Sequence, residues 1–266
     1  HLLGFDNPRK ALLTTVKEAV DNSLDACEEM GVLPDIIVKI EQTTDNRFKI
    51  IVEDNGPGIV KQQIPNIFAK LLYGSKFHSL KQSRGQQGIG ISASVMYAQL
   101  TTGKPTKIVS KISPKKPAHQ YELHMDTKKN EPEIISDKEV EWKKDHGTKI
   151  ELELEGSYQK GKQGVFEYIK ETAIINPHLN LIYYTPEKKK MTFPRIANEL
   201  PVEPKEIKPH PYGVELGMLI DMMKSSKSRN ISSFLSNDFS RVSPKVAKDI
   251  LAKVGISEKI HPSKVS

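Results

Sequence analysis

One stretch near the start, Asn7 to Gly31 (NPRKALLTTVKEAVDNSLDACEEMG), constrains the fold more than any other. It reads as a helix with both ends marked. Asn7 is placed to cap the first turn with its side-chain oxygen. Pro8 suits the first helical position, where a missing N–H costs nothing, and Gly31 can take the left-handed conformation that ends a helix. Leu13, Val16, Val20, Leu24 and Cys27 recur at helical spacing as an apolar stripe. At about 100° per residue, Glu18, Asn22 and Asp25 cluster within roughly 60° on the opposite face. A carboxylate, an amide and a second carboxylate in one row can hold a water or a hydrated cation. In an isolated helix the same row is an ordinary solvated face.

Three further motifs follow. Phe48 to Val52 reads as a strand and runs straight into Glu53-Asp54-Asn55-Gly56-Pro57-Gly58-Ile59, a carboxylate at a strand end before two glycines that let another group approach the backbone. Ser83 to Ser92 (SRGQQGIGIS) is a glycine-rich loop ahead of a helical run, Ile91 to Leu100. Such loops bind phosphate through unpaired amides and the positive helix end. The gap order is GxxGxG rather than GxGxxG, and the preceding segment, His78 to Arg84, is polar rather than a strand, which excludes a dinucleotide fingerprint. No GxxxxGK[ST] occurs, so the loop is not a P-loop. The last motif is Asp145-His146-Gly147-Thr148 before the alternating strand Lys149 to Leu154. Each of the three is weak alone.

Their order carries the weight. ExxxNSxDA, DxGxG, GxxGxG, then GT before a strand resembles the GHKL ATPase superfamily of gyrase B, Hsp90, sensor histidine kinases and MutL. Leu71 to Ala93 (LLYGSKFHSLKQSRGQQGIGISA) resembles more narrowly the ATP-lid wording of the B subunits of type IIB DNA topoisomerases, the topoisomerase VI family. The resemblance implies ATP and Mg²⁺ as ligands and a role for each matching position. Glu18 would be the general base that activates the hydrolytic water. Asn22 would hold Mg²⁺ through its amide oxygen and contact the nucleotide with it. Asp54 would accept a hydrogen bond from the adenine amino group, with Thr148 in support and Gly58 in the turn beside it. Ser75, Lys76 and the run Gly85, Gln86, Gln87, Gly88, Ile89, Gly90, Ile91 and Ser92 would line the phosphates as part of a mobile lid. Independent chemistry agrees: phosphoryl transfer to water needs charge neutralisation, amide donors around the γ-phosphate and a group that orients the water.

The resemblance also implies partners. B subunits would dimerise on binding ATP and close a gate on double-stranded DNA. A DNA-cleaving A subunit would complete a heterotetramer and carry the cleaving tyrosine and its metal site, leaving Tyr73, Tyr97, Tyr183 and Tyr184 structural by default. The expected location is cytoplasmic, at the nucleoid in a prokaryote. The chain opens on His1 and stops at Ser266, which reads as a fragment without the family's N-terminal strap, its transducer domain or the phosphate-sensing lysine there. Two other readings stay open: another GHKL ATPase of the mismatch-repair or chaperone type, and a DNA scaffold that binds nucleotide without turnover. The lid wording argues against the first, and Glu18 with Asn22 against the second.

Composition narrows the classes. No apolar run approaches the ~20 residues of a membrane helix. A single cysteine, Cys27, excludes an internal disulfide, and its place on the apolar stripe makes it a buried structural thiol. Net charge is +7, and the stretch from Pro201 to Ser266 holds 11 basic against 7 acidic residues, which suits either an anionic partner such as DNA or a lysine-rich soluble surface.

The rest of the chain completes the architecture. Asp35 to Glu41 and Arg47 to Val52 read as paired strands, Ile64 to Leu72 as a short helix, and Lys107 to Ser113, Gln120 to Asp126 and Gly147 to Leu154 as further strands. Asn130 to Asp137 reads as irregular, and Trp142 as a packing residue at a sheet edge. Gln163 to Ile174 is a helix, and Leu179 to Thr185 with Met191 to Pro194 a hairpin around a lysine-rich turn. The expected fold is an α/β two-layer sandwich over residues 1–200, a mixed sheet with helices on one face. A proline-rich linker, 201–211, leads to a small all-α module over 212–266 that resembles an incomplete helix-two-turns-helix unit. Its expected helices are Val214 to Met223, Asn230 to Phe239, and a third capped by Ser243-Pro244 and ended at Gly255.

Overall fold

The computed structural model describes residues 5, 7–71, 90–162, 164–202, 208–214 and 216–265. Helix α1 spans Pro8–Met30, with both ends formed as their residues demand. Asn7 Oδ1 accepts from the Arg9 N–H at 2.9 Å. Gly31 sits at φ 79°, its N–H donating to the Glu28 carbonyl while the Val32 N–H reaches the Cys27 carbonyl, at 3.0 and 2.9 Å. Val16, Val20, Leu24 and Cys27 are buried as the spacing predicts, and Leu13 is only partly so. Asp25 does not share a solvated face with Glu18 and Asn22: it is buried, as are Thr15 and Ser23. α1 is covered on its flanks by neighbouring helices as well as from below by the sheet, so its buried arc is wider than the apolar stripe.

Strands β1 (Asp35–Thr44), β2 (Arg47–Glu53), β3 (Thr106–Lys111), β4 (Ala118–Asp126), β5 (Glu131–Val140), β6 (Gly147–Glu155), β7 (Asn180–Tyr184) and β8 (Lys190–Phe193) form one sheet in the order β5-β4-β3-β6-β2-β1-β7-β8. Only β1 and β7 run parallel, in register from Asp35↔Asn180 to Lys39↔Tyr184; the other pairs are antiparallel. The sheet is therefore mixed. Alternation decides its faces. Ile36, Val38, Ile40, Phe48, Ile50, Val52, Leu152, Leu154, Leu181 and Tyr183 point into one core with α1, α2 (Ile64–Ala69), α3 (described over Gly90–Thr102) and α4 (Val165–Ile175). The opposite face carries ion pairs such as Lys49–Glu151 at 3.9 Å and Lys104–Glu153 at 2.6 Å. Partly exposed pairs such as Lys49–Glu151 contribute little to stability, whereas the Glu153 carboxylate is buried and also accepts from the Thr43 hydroxyl at 2.9 Å. The core contributes most of the stability. Leu152→Ala, deep in central strand β6, is expected to lower the unfolding free energy by about 2–5 kcal/mol in urea denaturation.

Three expectations are corrected. The segment read as irregular is strand β5, ten residues at the sheet edge. Most of its side chains are exposed and a bulge interrupts its pairing with β4, so the alternating apolar signal of a half-buried strand never arises. Trp142 is not at a sheet edge but in the coil between β5 and β6, with the Lys144 ammonium 5.9 Å from its ring centre. Short helix α2 also ends early: Lys70 is extended.

A second compact unit begins beyond residue 203. It contains α5 (Leu216–Ser225), α6 (Ile231–Asp238) and α7 (Pro244–Val254). Asn230 and Ser243 cap the last two through the Ser233 and Val246 N–H groups, and Gly255 ends α7 at φ 70°. Ile231, Phe234, Phe239, Val242, Ala247 and Leu251 form its own small core, with Phe234 and Phe239 edge to face at 5.6 Å.

Candidate functional site

Strand β2 delivers Asp54 to the point where α1 and β6 meet. The residue is 5% exposed, and its carboxylate is held from three directions. Oδ1 accepts the N–H groups of Gly56 at 2.9 Å and Thr148 at 3.1 Å, and Oδ2 accepts the Ser23 hydroxyl at 2.8 Å. The Asp54 N–H donates to the Thr148 carbonyl at 2.9 Å, continuing the β2–β6 ladder past the end of β2. Burial pushes the Asp54 carboxyl above its ordinary pKa; the Gly56 N–H, the Ser23 hydroxyl, the Thr148 N–H and the Lys144 charge pull the other way. Counting acceptor positions, Oδ2 keeps a lone pair for one more donor.

Glycine is required around this carboxylate by contact as well as by conformation. Gly58 sits at φ 70°, where a Cβ would run into the Lys111 carbonyl at the end of β3. Gly147 sits at φ 144°, where a Cβ would overlap the Asp54 carbonyl. The turn after β2 is thus pressed between β3 and the start of β6, and the Ile59 N–H is tied to Ser110 Oγ at 2.7 Å. Asn55 anchors the same turn to α1 and β1: its Oδ1 accepts from the Asp35 N–H at 2.8 Å and the Cys27 thiol at 3.4 Å, and its Nδ2 donates to the Leu33 carbonyl at 3.1 Å. Burial, then the Asp54 charge, pushes the Cys27 thiol up to about 12, so it is an inert packing group.

Five residues before Ser23 on α1, about 7.5 Å along the axis, stands Glu18. Burial and then the neighbouring Asp21 charge raise its pKa, against Lys17. Asn22, one turn beyond Glu18, is exposed. The described start of α3 packs on this part of α1: a Cβ on Gly90 would collide with the Glu18 carboxylate. Ile91 and Ser92 continue that first turn and are buried. The fold therefore brings Asp54, Gly58 and Thr148 into one cluster and Glu18 and Gly90 into another, with α1 running between them. Thr148 contributes its backbone N–H to Asp54 rather than its hydroxyl. Ser75, Lys76, Gly85, Gln86, Gln87, Gly88 and Ile89 lie outside the described residues.

Sequence reasoning missed three contributors. Ser23 lies within the quoted helix motif, yet only its contact with Asp54 gives it a role. Lys144 donates to the Asp54 carbonyl at 3.2 Å and pairs with Glu53 at 3.2 Å. His146 Nδ1 lies 2.7 Å from the Gly56 carbonyl. No local pattern marks Lys144, and His146, though inside the Asp145 to Thr148 motif, gains a role only from this contact. Among the described residues no group of three His, Cys, Asp or Glu could hold a metal by themselves, and no helix is long and apolar enough to cross a membrane.

A strand-end carboxylate fed by α1 and β6, beside a helix bearing a half-buried glutamate, is the arrangement of one ATPase class. The family described as histidine kinase-, DNA gyrase B- and HSP90-like ATPase matches residues 7–157, and the chain belongs to it. It is 53% identical over 266 residues to the type 2 DNA topoisomerase 6 B subunit of Methanococcoides burtonii, covering 100% of this chain and 43% of that one. It is 54% identical over 258 residues to the protein of the same name from Archaeoglobus fulgidus, covering 97% of this chain and 43% of that one. The chain thus spans about 43% of the length of these curated relatives. Among solved structures, the ATPase region of Saccharomyces cerevisiae topoisomerase II bound to dexrazoxane matches 68% of this chain and 48% of its own, with TM-score 0.48 and 15% identity.

Proposed function

We propose that this chain binds Mg-ATP between α1, the turn after β2 and the start of α3, and that it is the ATP-hydrolysing part of the B subunit of a type IIB topoisomerase. The carrying observation is the Asp54 carboxylate: buried, held by three donors, with one acceptor position on Oδ2 to spare. That is what recognition of an adenine amino group requires. Glu18 orients and deprotonates the attacking water. The phosphates lie along α1 toward Asn22 and the first turn of α3, with Ser75, Lys76 and the loop from Gly85 closing over them. Asn22 suits a hard cation: it offers an exposed amide oxygen, and a cation that keeps waters and phosphate oxygens needs no protein cage. Mg²⁺ bound there supplies neutralisation of phosphate charge.

Identity above 50% to topoisomerase 6 B subunits favours this reading over another ATPase of the family or a scaffold without turnover. By the same likeness, the intact protein dimerises on ATP, works with a DNA-cleaving A subunit in a heterotetramer on double-stranded DNA, and resides in the cytoplasm at the nucleoid. Residues 212–266 then correspond to a helix-two-turns-helix module after a linker over 201–211.

Titration calorimetry with a non-hydrolysable ATP analogue and Mg²⁺ tests the reading. One bound nucleotide per chain is expected. No binding to this chain or to the full-length protein overturns it. Gly90→Ala probes the other end of the site. Alanine is the better helix former, so stability is expected to hold. The displaced Glu18 carboxylate is expected to cost about tenfold in phosphate release, because catalytic geometry tolerates little misplacement.

A further inference from the structure

The coil between β5 and β6 lies directly on the turn that carries Asp54. His146 Nδ1, 2.7 Å from the Gly56 carbonyl, must bear the proton to bond there. Lys144 donates to the Asp54 carbonyl at 3.2 Å, with the face of Trp142 5.9 Å from its ammonium. The Lys144 side chain is only 24% exposed and that of its partner Glu53 20%, so water screens this charge incompletely. Glu53 offsets part of its field.

Asp54 has two possible states, and they recognise different bases. An ionised carboxylate offers Oδ2 as an acceptor and suits a 6-amino purine. A protonated one offers an O–H and suits a 6-oxo purine, whose exocyclic carbonyl oxygen an anion would repel. Burial favours the protonated state. The Gly56 and Thr148 N–H groups and the Ser23 hydroxyl favour the anion. The other ionisable groups around this turn are the Cys27 thiol, Asp35 and Glu53, none of which brings positive charge, and His146, whose Nδ1 bonds the Gly56 carbonyl rather than the Asp54 carboxylate. Lys144 is the cation among the described residues that acts on Asp54.

We propose that Lys144 is a specificity-determining residue: its ammonium, set on the Asp54 carbonyl, keeps the Asp54 carboxylate an acceptor, so the site takes 6-amino and rejects 6-oxo purine nucleotides. The assignment rests on the nucleotide reading above. Lys144 touches Asp54 and not the base, so it is a positioning group. A purely structural role would weaken all nucleotides alike when it is removed; this role changes their ratio.

The test is calorimetric binding of ATP and ITP, each with Mg²⁺, to the wild type, Lys144→Met, Lys144→Arg and Glu53→Gln. Lys144→Met is expected to narrow the preference for ATP over ITP by about threefold, chiefly by improving ITP, because the Lys144 charge adds to the stronger pull of the Gly56, Ser23 and Thr148 donors. Lys144→Arg is expected to restore the preference. Glu53→Gln, which leaves the Lys144 charge unopposed, is expected to widen it. Equal weakening of both nucleotides in Lys144→Met, or an unmoved ratio, overturns the assignment while wild-type ATP binding that Asp54→Asn destroys leaves the site intact. Wild type that binds neither nucleotide overturns the site and the assignment together.

Discussion

Glu18→Gln is expected to lower ATP turnover by about 10²- to 10⁴-fold while nucleotide affinity stays unchanged. The side chain keeps its size and its place on α1, but an amide cannot take a proton from water. Burial and the Asp21 charge raise the pKa of Glu18, which makes its ionised form a stronger base than an ordinary glutamate. The sign of the pH dependence follows. Turnover falls as the pH drops through that raised pKa, so the acidic limb of the kcat profile lies above the usual glutamate range and disappears in Glu18→Gln. Phosphate release by the full-length protein, read beside calorimetric affinity, separates the two effects. Wild-type turnover in Glu18→Gln would remove it as the base.

Asp54→Asn is expected to weaken binding of the ATP analogue by about 100-fold, the scale of a lost hydrogen bond to a charged group plus an opposed donor. An asparagine can satisfy only half of this site. With its oxygen toward Gly56 and Thr148, its NH₂ faces the adenine amino group, donor against donor. Turned over, the NH₂ faces two backbone N–H groups instead. Either way one set of donors is left unpaired. Thermal denaturation of the same variant separates lost recognition from lost folding. An analogue affinity like that of the wild type in a folded Asp54→Asn would show that the amino group is read elsewhere.

Much of this was legible in the chain. Asn7, Pro8 and Gly31 bracket α1, and Ser243 and Gly255 bracket α7, because capping and left-handed glycine are local effects that need no partner. The inward residues of β1 and β2 alternate clearly because one face of those strands is buried and the other is only partly covered. Asp54 stands out as a strand-end carboxylate before glycines. β5 failed for the converse reason: an edge strand with most side chains in water carries no period to read. Asp25 failed because helical spacing separates faces but does not say how many neighbours cover them.

The sequence by itself determined the elements other than β5, their order and the placement of Glu18, Asn22 and Asp54 at helix and strand positions suited to chemistry. Those properties follow from hydrogen bonding and side-chain period within a few residues. Only the tertiary structure decided what state those groups are in. Ser23, Asp54, Lys144 and Thr148 come from α1, the end of β2, the β5–β6 coil and β6, and the pairing of β2 with β6 together with the packing of α1 on both makes them neighbours. The Gly90–Glu18 approach likewise exists only because α3 packs on α1. Burial and converging donors set the charge of a carboxylate, and both are properties of where the chain returns rather than of what stands beside it in sequence.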